Sequence, residues 1–200
     1  IVLFIRHKLY DWGIFRSKCY DIPSICVGNL NLGGTGKTPH VEYLLNLLSD
    51  KYEVAVLSRG YGRKTKGFLL AEKTHNSSDI GDEPLQYITK YDKIKVAVDE
   101  NRCDGVNKLL EMKDPPKLIL LDDAYQHRKI KPGLNILLTD YYNIYKKDIL
   151  IPTGGLRDIK YAARRADIIV VTKSPNVLTP YYKKDTEDVI PRLFAKRNVK

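Results

Sequence analysis

Short apolar segments recur along the chain at residues 22–27, 53–57, 95–98, 117–123, 135–139 and 167–172. They are rich in Val, Ile and Leu and mostly lack an alternating polar position, the pattern of strands buried on both faces of a parallel sheet. Residues 40–48, 85–90 and 159–166 carry helical spacing instead, and Asp99-Glu100-Asn101-Arg102 is expected to open a further helix. Residues 66–72 read as an edge strand or hairpin, and Pro115-Pro116 breaks the chain before the segment at 117–123. Strands alternating with helices predict an α/β fold of parallel βαβ units: a doubly wound, mostly parallel sheet with helices on both faces. The pattern weakens after Pro175, so residues 176–200 read as a linker and the start of another unit. No internal repeat or low-complexity tract interrupts it.

The N-terminus breaks this rhythm. Residues 1–21 mix Ile-Val-Leu-Phe-Ile with Arg6-His7-Lys8, then run through Tyr10, Trp12, Ile14, Phe15 and Arg16, with no carboxylate before Asp11. Such a basic, aromatic helix suits a membrane interface; it equally suits a helix packed on the following domain. The first residue is Ile1, which leads us to expect an incomplete N-terminus. The formal charge of +10 and pI near 9.4 point to an acidic partner: nucleotide, nucleic acid or anionic membrane. The fourteen tyrosines, several beside lysines as at Tyr181-Tyr182-Lys183-Lys184, fit an interface or simply an A·T-rich codon bias. Cys19, Cys26 and Cys103 are odd in number and show no C-x-x-C, which speaks against a disulfide framework or zinc site and for a reducing compartment. The longest apolar runs fall far short of the ~20 residues that span a bilayer, and no cleavable signal pattern is present.

Between the strand at 22–27 and the helix at 40–48 lies Gly28-Asn29-Leu30-Asn31-Leu32-Gly33-Gly34-Thr35-Gly36-Lys37-Thr38-Pro39. Strand, glycine-rich turn, Lys-Thr and helix form the layout of a phosphate-binding loop, in which Gly33, Gly34, Thr35 and Gly36 let backbone amides turn toward phosphate oxygens. Lys37 would reach the β- and γ-phosphates and Thr38 would bind Mg²⁺, with the helix N-terminus adding partial positive charge. The alternative is a glycine turn that happens to precede Lys-Thr, and Asn31 occupies a position where the usual pattern has glycine. The second signal is Leu118-Ile119-Leu120-Leu121-Asp122-Asp123, a buried strand whose carboxylates emerge where Mg²⁺ sits in nucleotide-binding sheets. Ser58-Arg59-Gly60-Tyr61-Gly62 puts an arginine at a strand end, on a ligand-binding rim or in a solvated turn. Gly81-Asp82-Glu83-Pro84 enters a helix; its carboxylates either cap that helix or supply a base aimed at the phosphates. A GTPase would need Asp-x-x-Gly after its magnesium aspartate, where this chain has Asp123-Ala124-Tyr125-Gln126, and Thr172-Lys173-Ser174-Pro175 lacks a guanine-pairing Asp. Both absences favour ATP.

These motifs, with Asp122-Asp123-Ala124-Tyr125-Gln126-His127 and Leu150-Ile151-Pro152-Thr153-Gly154-Gly155-Leu156-Arg157, stand in an order that resembles tetraacyldisaccharide 4′-kinase, the lipid A kinase of Gram-negative bacteria. The resemblance runs from about residue 1 to about 175, and Asn31 is that family's own habit. Ala124 stands where the family usually has Gly, and Asp158 where Glu is common. The resemblance implies a P-loop NTPase-like fold with an N-terminal membrane-associating helix at 1–21, a P-loop kinase domain at 22–175 and, at 176–200, a linker and the start of a C-terminal domain. It implies ATP- and Mg²⁺-dependent transfer of a γ-phosphoryl group to the 4′-hydroxyl of an acylated glucosamine disaccharide 1-phosphate. The setting would be peripheral, at the anionic cytoplasmic face of the inner membrane, with no nucleic-acid partner. Carried over by motif, Lys37 and Thr38 hold phosphates and Mg²⁺, Asp122 or Asp123 holds or orients the metal, and Asp82 is the base for the sugar hydroxyl. Arg102, Gln126, His127 and Arg157 would line the substrate side. In the family a His of the C-terminal domain supports the base; residues 176–200 carry no such motif. Two other classes stay open on composition alone: a nucleic-acid-linked ATPase and a non-catalytic membrane-surface module.

Overall fold

In the computed structural model, which describes residues 1–175 and Ile190, the apolar segments are strands and the spaced segments are helices. Helix α1 (Val2–Asp11) precedes β1 (Ser24–Asn29), α2 (Lys37–Leu48), β2 (Val54–Ser58), β3 (Leu69–Leu70), α3 (Ser77–Ile80) and α4 (Asp82–Lys90). Then come β4 (Lys95–Val98), α5 (Arg102–Leu110), β5 (Leu118–Asp122), β6 (Leu134–Asp140), a 3₁₀-helix (Lys160–Arg165) and β7 (Ile168–Thr172). The strands form one sheet in the order β3-β4-β2-β5-β1-β6-β7. Every neighbouring pair is parallel except the edge pair β3–β4.

Alternate residues of each central strand feed two separate cores, as the two-sided burial of a parallel sheet requires. Val27, Val54, Val56, Val96, Leu118 and Leu120 meet α2 through Val41 and Leu45 and α4 through Tyr87. Cys26, Ala55, Leu57, Ala97, Ile119 and Leu121 face the opposite way, toward Val106 and Leu109 of α5, Tyr125, and Ala162 and Ala163 of the 3₁₀-helix. Helices therefore cover both faces. The sheet's centre, β5 beside β1, carries both predicted phosphate-site signals at its C-terminal edge.

Some elements differ from the expectation. The helix expected across 1–21 stops at Asp11, where Trp12 closes it and Gly13 takes φ 75°, a left-handed turn open to glycine. The segment 159–166 is a 3₁₀-helix, since its small residues Ala162 and Ala163 are drawn onto the sheet. Helix α4 begins at Asp82 and α2 at Lys37, each with its proline in the first turn, where no amide partner is lost. The short α3 was not anticipated; Asn76 and Asp79 close it with a reciprocal capping box. The expected linker at 176–200 lies, Ile190 apart, outside the described residues.

Helix α1 docks against its own amphipathic habit. Its buried residue is His7, while Ile1, Val2, Phe4 and Ile5 stay exposed, as do Trp12, Ile14 and Phe15 just beyond it. The polar side of the helix faces the protein and much of its apolar side faces out.

Candidate active site

The end of β1 is built for close approach. A Cβ on Gly28 would lie 2.5 Å from the Tyr125 Cβ, so only glycine lets the two βα turns touch. The Asn29 side chain then ties the loop's mouth, donating to Thr35 Oγ1 at 2.8 Å and toward the Gly33 carbonyl at 3.4 Å. Gly33 and Gly36 have φ of 102° and 81°, conformations that L side chains resist. A Cβ on Gly33 or Gly34 would meet nothing within 4 Å: these two face open space. Thr35 is buried and its amide donates to Gly33 O at 3.0 Å, so it shapes the loop from within. Gly36 caps α2, and Lys37 opens the helix with Nζ 3.8 Å from Asp123 Oδ1. Asn31 has a structural reason to replace glycine: its buried amide donates to Asp148 Oδ2 at 3.0 Å, and Asp148 accepts from the Gly155 amide at 3.0 Å. The loop is thereby stitched to the Pro-Thr-Gly-Gly-Leu-Arg segment.

The two aspartates after β5 are not equivalent. Asp123 has φ 48°, a left-handed position that Asp tolerates better than most residues. Its carboxylate receives both terminal nitrogens of Arg157, one at 2.9 Å, and faces Lys37. Burial works to raise its pKa, but Arg157, Lys37 and Arg102 outweigh that and hold it below the ordinary value. Asp122 is 1% exposed; its Oδ2 accepts from the Tyr87 hydroxyl at 3.2 Å and its Oδ1 has no hydrogen-bond partner. Burial, then Glu83 and Asp123, push its pKa up to about 7. Thr38, another of the expected Mg²⁺ ligands, lies close enough to the Tyr87 hydroxyl to bear on its ionisation. An unpaired buried carboxylate oxygen beside Thr38 fits a cation. Among the described residues no group of three or more His, Cys, Asp or Glu side chains forms a cage. That suits Mg²⁺, which binds through one or two protein ligands plus phosphate oxygens and water.

Glu83 of α4 reaches the same place. Cβ atoms on Gly60 and Gly81 would strike Ile80 O and Tyr61 O at 2.7 and 2.8 Å, so the Ser-Arg-Gly-Tyr and Gly-Asp-Glu-Pro turns press backbone to backbone. Gly81 is the N-cap and no side-chain cap bond forms, which corrects the capping alternative: Asp82 stands exposed in the first turn. Glu83 is half-buried, and burial raises its pKa against the pull of Lys37 and with the push of Asp123 and Asp82. Glu83 thus shares the field of the phosphate end, a part the motif reading left to Asp82.

Arg59 stands exposed where β2 ends, near enough to Arg102 and His127 to disfavour their charged forms. Arg102 is buried, donates to Asp99 O at 2.6 Å, and leaves Nε and Nη2 without partners. Burial lowers its pKa to about 10 against the pull of Asp122 and Asp123. Burial and then Arg102, Arg59 and Arg6 lower that of His127 to about 4. Both line a cavity of about 1000 Å³ beside α1, with Arg6, Arg16, Lys18 and Phe15. Gln126 instead braces β1, donating to Asn29 O at 2.6 Å. The structure therefore gathers Lys37, Thr38, Asp122, Asp123 and Arg157 at the phosphate end and sets Arg102 and His127 in the adjoining cationic cavity. Sequence reasoning gave no role to Asn29 or Tyr87, and it weighed Glu83 only together with Asp82, as a cap or a base, before the motif assigned the base to Asp82.

A family model described as "LpxK: Tetraacyldisaccharide-1-P 4'-kinase" matches residues 1–197. The tetraacyldisaccharide 4'-kinase of Bacteroides thetaiotaomicron is 53% identical over 180 residues, covering 90% of this chain and 47% of that protein. Its counterpart in Flavobacterium johnsoniae is 52% identical over 179 residues, 90% of this chain and 53% of that one. The chain spans about half the length of these curated relatives. A crystal structure of LpxK from Aquifex aeolicus in complex with ATP superposes with a TM-score of 0.79 at 38% identity, covering 90% of this chain and 58% of that chain. The expected α/β, P-loop NTPase-like fold is borne out.

Proposed function

The chain belongs to the tetraacyldisaccharide-1-P 4'-kinase family, and from that premise we propose ATP-dependent transfer of a γ-phosphoryl group to the 4′-hydroxyl of an acylated glucosamine disaccharide 1-phosphate. The observation that carries this reading is the meeting of the phosphate loop, the Asp122–Asp123 pair and a cationic cavity at one sheet edge. The loop glycines and Lys37 cradle the phosphates, and the α2 N-terminus adds its dipole. Mg²⁺ would supply charge neutralisation between phosphate oxygens, with Thr38 and the unpaired oxygen of Asp122 as its protein ligands. Asp123 fixes Arg157 and Lys37 in place. Asp82, exposed beside Glu83 at the α4 N-terminus, takes the proton of the attacking hydroxyl. Arg102 and the cavity cations bind the acceptor's own phosphate. Phosphoryl transfer asks for positioning and charge more than covalent chemistry, and these groups supply both.

The acceptor would be reached from the cytoplasmic face of an anionic inner membrane. Phe4, Ile5 and Trp12 are half or more exposed, and the exposed Ile14 and Phe15 line that cavity beside its cations, which suits a segment lying in the interface. No described helix is long and apolar enough to cross a membrane. The test is γ-phosphate transfer from labelled ATP to a lipid disaccharide 1-phosphate in mixed micelles, with the full-length protein. Label appearing in the lipid supports the reading. ATP turnover that ignores the lipid and rises with added nucleic acid, weakening steeply with salt, overturns it.

A further inference from the structure

The contact that docks α1 is a buried polar relay, and it leads to the phosphate loop. His7 and Asp158 are each 1% exposed, with His7 Nε2 2.7 Å from Asp158 Oδ1. Arg128 Nη1 lies 3.2 Å from His7 Nδ1 and donates to the His7 carbonyl at 2.8 Å. A guanidinium only donates, so Nδ1 accepts and Nε2 carries the proton given to Asp158. The residue before Asp158 is Arg157, whose guanidinium grips Asp123 and Asn29 Oδ1. Its backbone is sewn to the loop's entry, with Arg157 N on Leu30 O at 2.8 Å and Leu32 N on Gly155 O at 2.6 Å. A second arm starts one residue earlier on the helix. Arg6 donates to Gln126 O at 2.9 Å, and Gln126 donates to Asn29 O at 2.6 Å. Both arms end on Asn29, which holds Thr35 inside the loop.

We infer that His7 and Asp158 are positioning residues that couple the docking of α1 to the aim of Arg157 and Asn29, so that the seating of the helix sets nucleotide affinity. A buried ion-pair-like contact is a poor source of stability compared with apolar packing; spending one on a helix whose apolar side stays exposed makes sense if orientation is what it secures. The consequence, resting on the phosphate-site reading above, is that a lipid surface which orders α1 tightens Mg·ATP binding.

The test measures Mg·ATP affinity by calorimetry in the full-length protein, with thermal melting as a check on folding. His7→Phe fills the site without a donor and should raise the dissociation constant about fivefold or more, the lower range of coupling between linked sites. His7→Gln, whose amide can still donate to Asp158, should stay within about twofold of wild type, a rescue that a purely structural role does not require. In an Arg157→Lys background, His7→Phe should add less than about twofold, because the relay has already lost its end. If His7→Phe fails to fold, Arg6→Met cuts the second arm at a part-buried site and should weaken binding in the same direction. Unchanged affinity in the folded variants, equal loss in His7→Gln and His7→Phe, or full additivity with Arg157→Lys would overturn the coupling. Absence of Mg·ATP binding in the wild type would instead sink the phosphate-site reading itself.

Discussion

Replacing Asp122 with asparagine should make the nucleotide-free protein gain stability relative to wild type as the pH rises. Asp122 is fully buried and its folded pKa stands at about 7 against an ordinary 3.8. Between those values the folded state holds a proton that the unfolded chain has lost. Stability from this group is therefore fully present below about pH 4 and is lost as pH rises through about 7. Asparagine carries no such proton, so the difference between variant and wild type isolates the effect. It also cancels the opposing slope from His127, whose lowered pKa makes stability rise with pH over its own range. From pH 5 to 7 the variant's advantage should widen by about 2 kcal/mol, at roughly 1.4 kcal/mol per unit below pH 6 and flattening as Asp122 itself titrates. The asparagine amide, left beside Tyr87 with too few acceptors, imposes a fixed offset of about 1–3 kcal/mol, which shifts the curve without changing its slope. The assay is urea unfolding at half-unit pH steps from 5 to 8, with chelator present and nucleotide absent. A wild-type-to-variant difference that stays flat across that range would refute the burial argument and, with it, the picture of Asp122 as a carboxylate waiting for a cation.

Lys37→Ala should lower turnover by about 10²–10³, the scale of losing one pre-organised charge partner of a developing anion; steady-state phosphorylation checks it, and wild-type rates would remove Lys37 from the phosphate site. Asp82→Asn should spare Mg·ATP binding and abolish transfer; calorimetry paired with lipid phosphorylation separates the two, and loss of binding at unchanged fold would make Asp82 a nucleotide-side group. Phe4→Ser with Trp12→Ser, both at exposed positions, should leave the melting temperature unchanged and reduce co-sedimentation with anionic vesicles. Equal sedimentation would mean that the outward apolar side serves another partner.

The parts of the site legible in the sequence are those whose chemistry is local. Gly33 to Thr38 follow a strand and open a helix, and Asp122 and Asp123 end an apolar run, so neighbours in the chain are enough to place them. Tyr87 carries no such mark: it looks like a core aromatic of α4, and only the packing of α4 on the sheet brings its hydroxyl to Asp122. Asn31 looked like a defect in a glycine pattern until Asp148, far along the chain, supplied its partner. The mixture of cations and apolar residues in α1 announced an unusual helix, but periodicity does not say which side docks when the anchor is a single histidine. The fold was readable for the same reason as the loop, since a two-sided sheet writes its burial into consecutive residues. The 3₁₀-helix was not, because its short, alanine-centred turn is set by the sheet beneath it.

The central place of β1 has a consequence for how the protein is made. Both of its partner strands, β5 and β6, lie far downstream. At ribosomal speed the roughly 90 residues between the end of β1 and the start of β5 take about 5–20 s to emerge. Throughout that interval an apolar strand and its glycine loop are outside the tunnel with nothing to pair with. Nucleotide binding thus has to wait until β5 has emerged, and during that interval β1 is a natural substrate for a holdase chaperone.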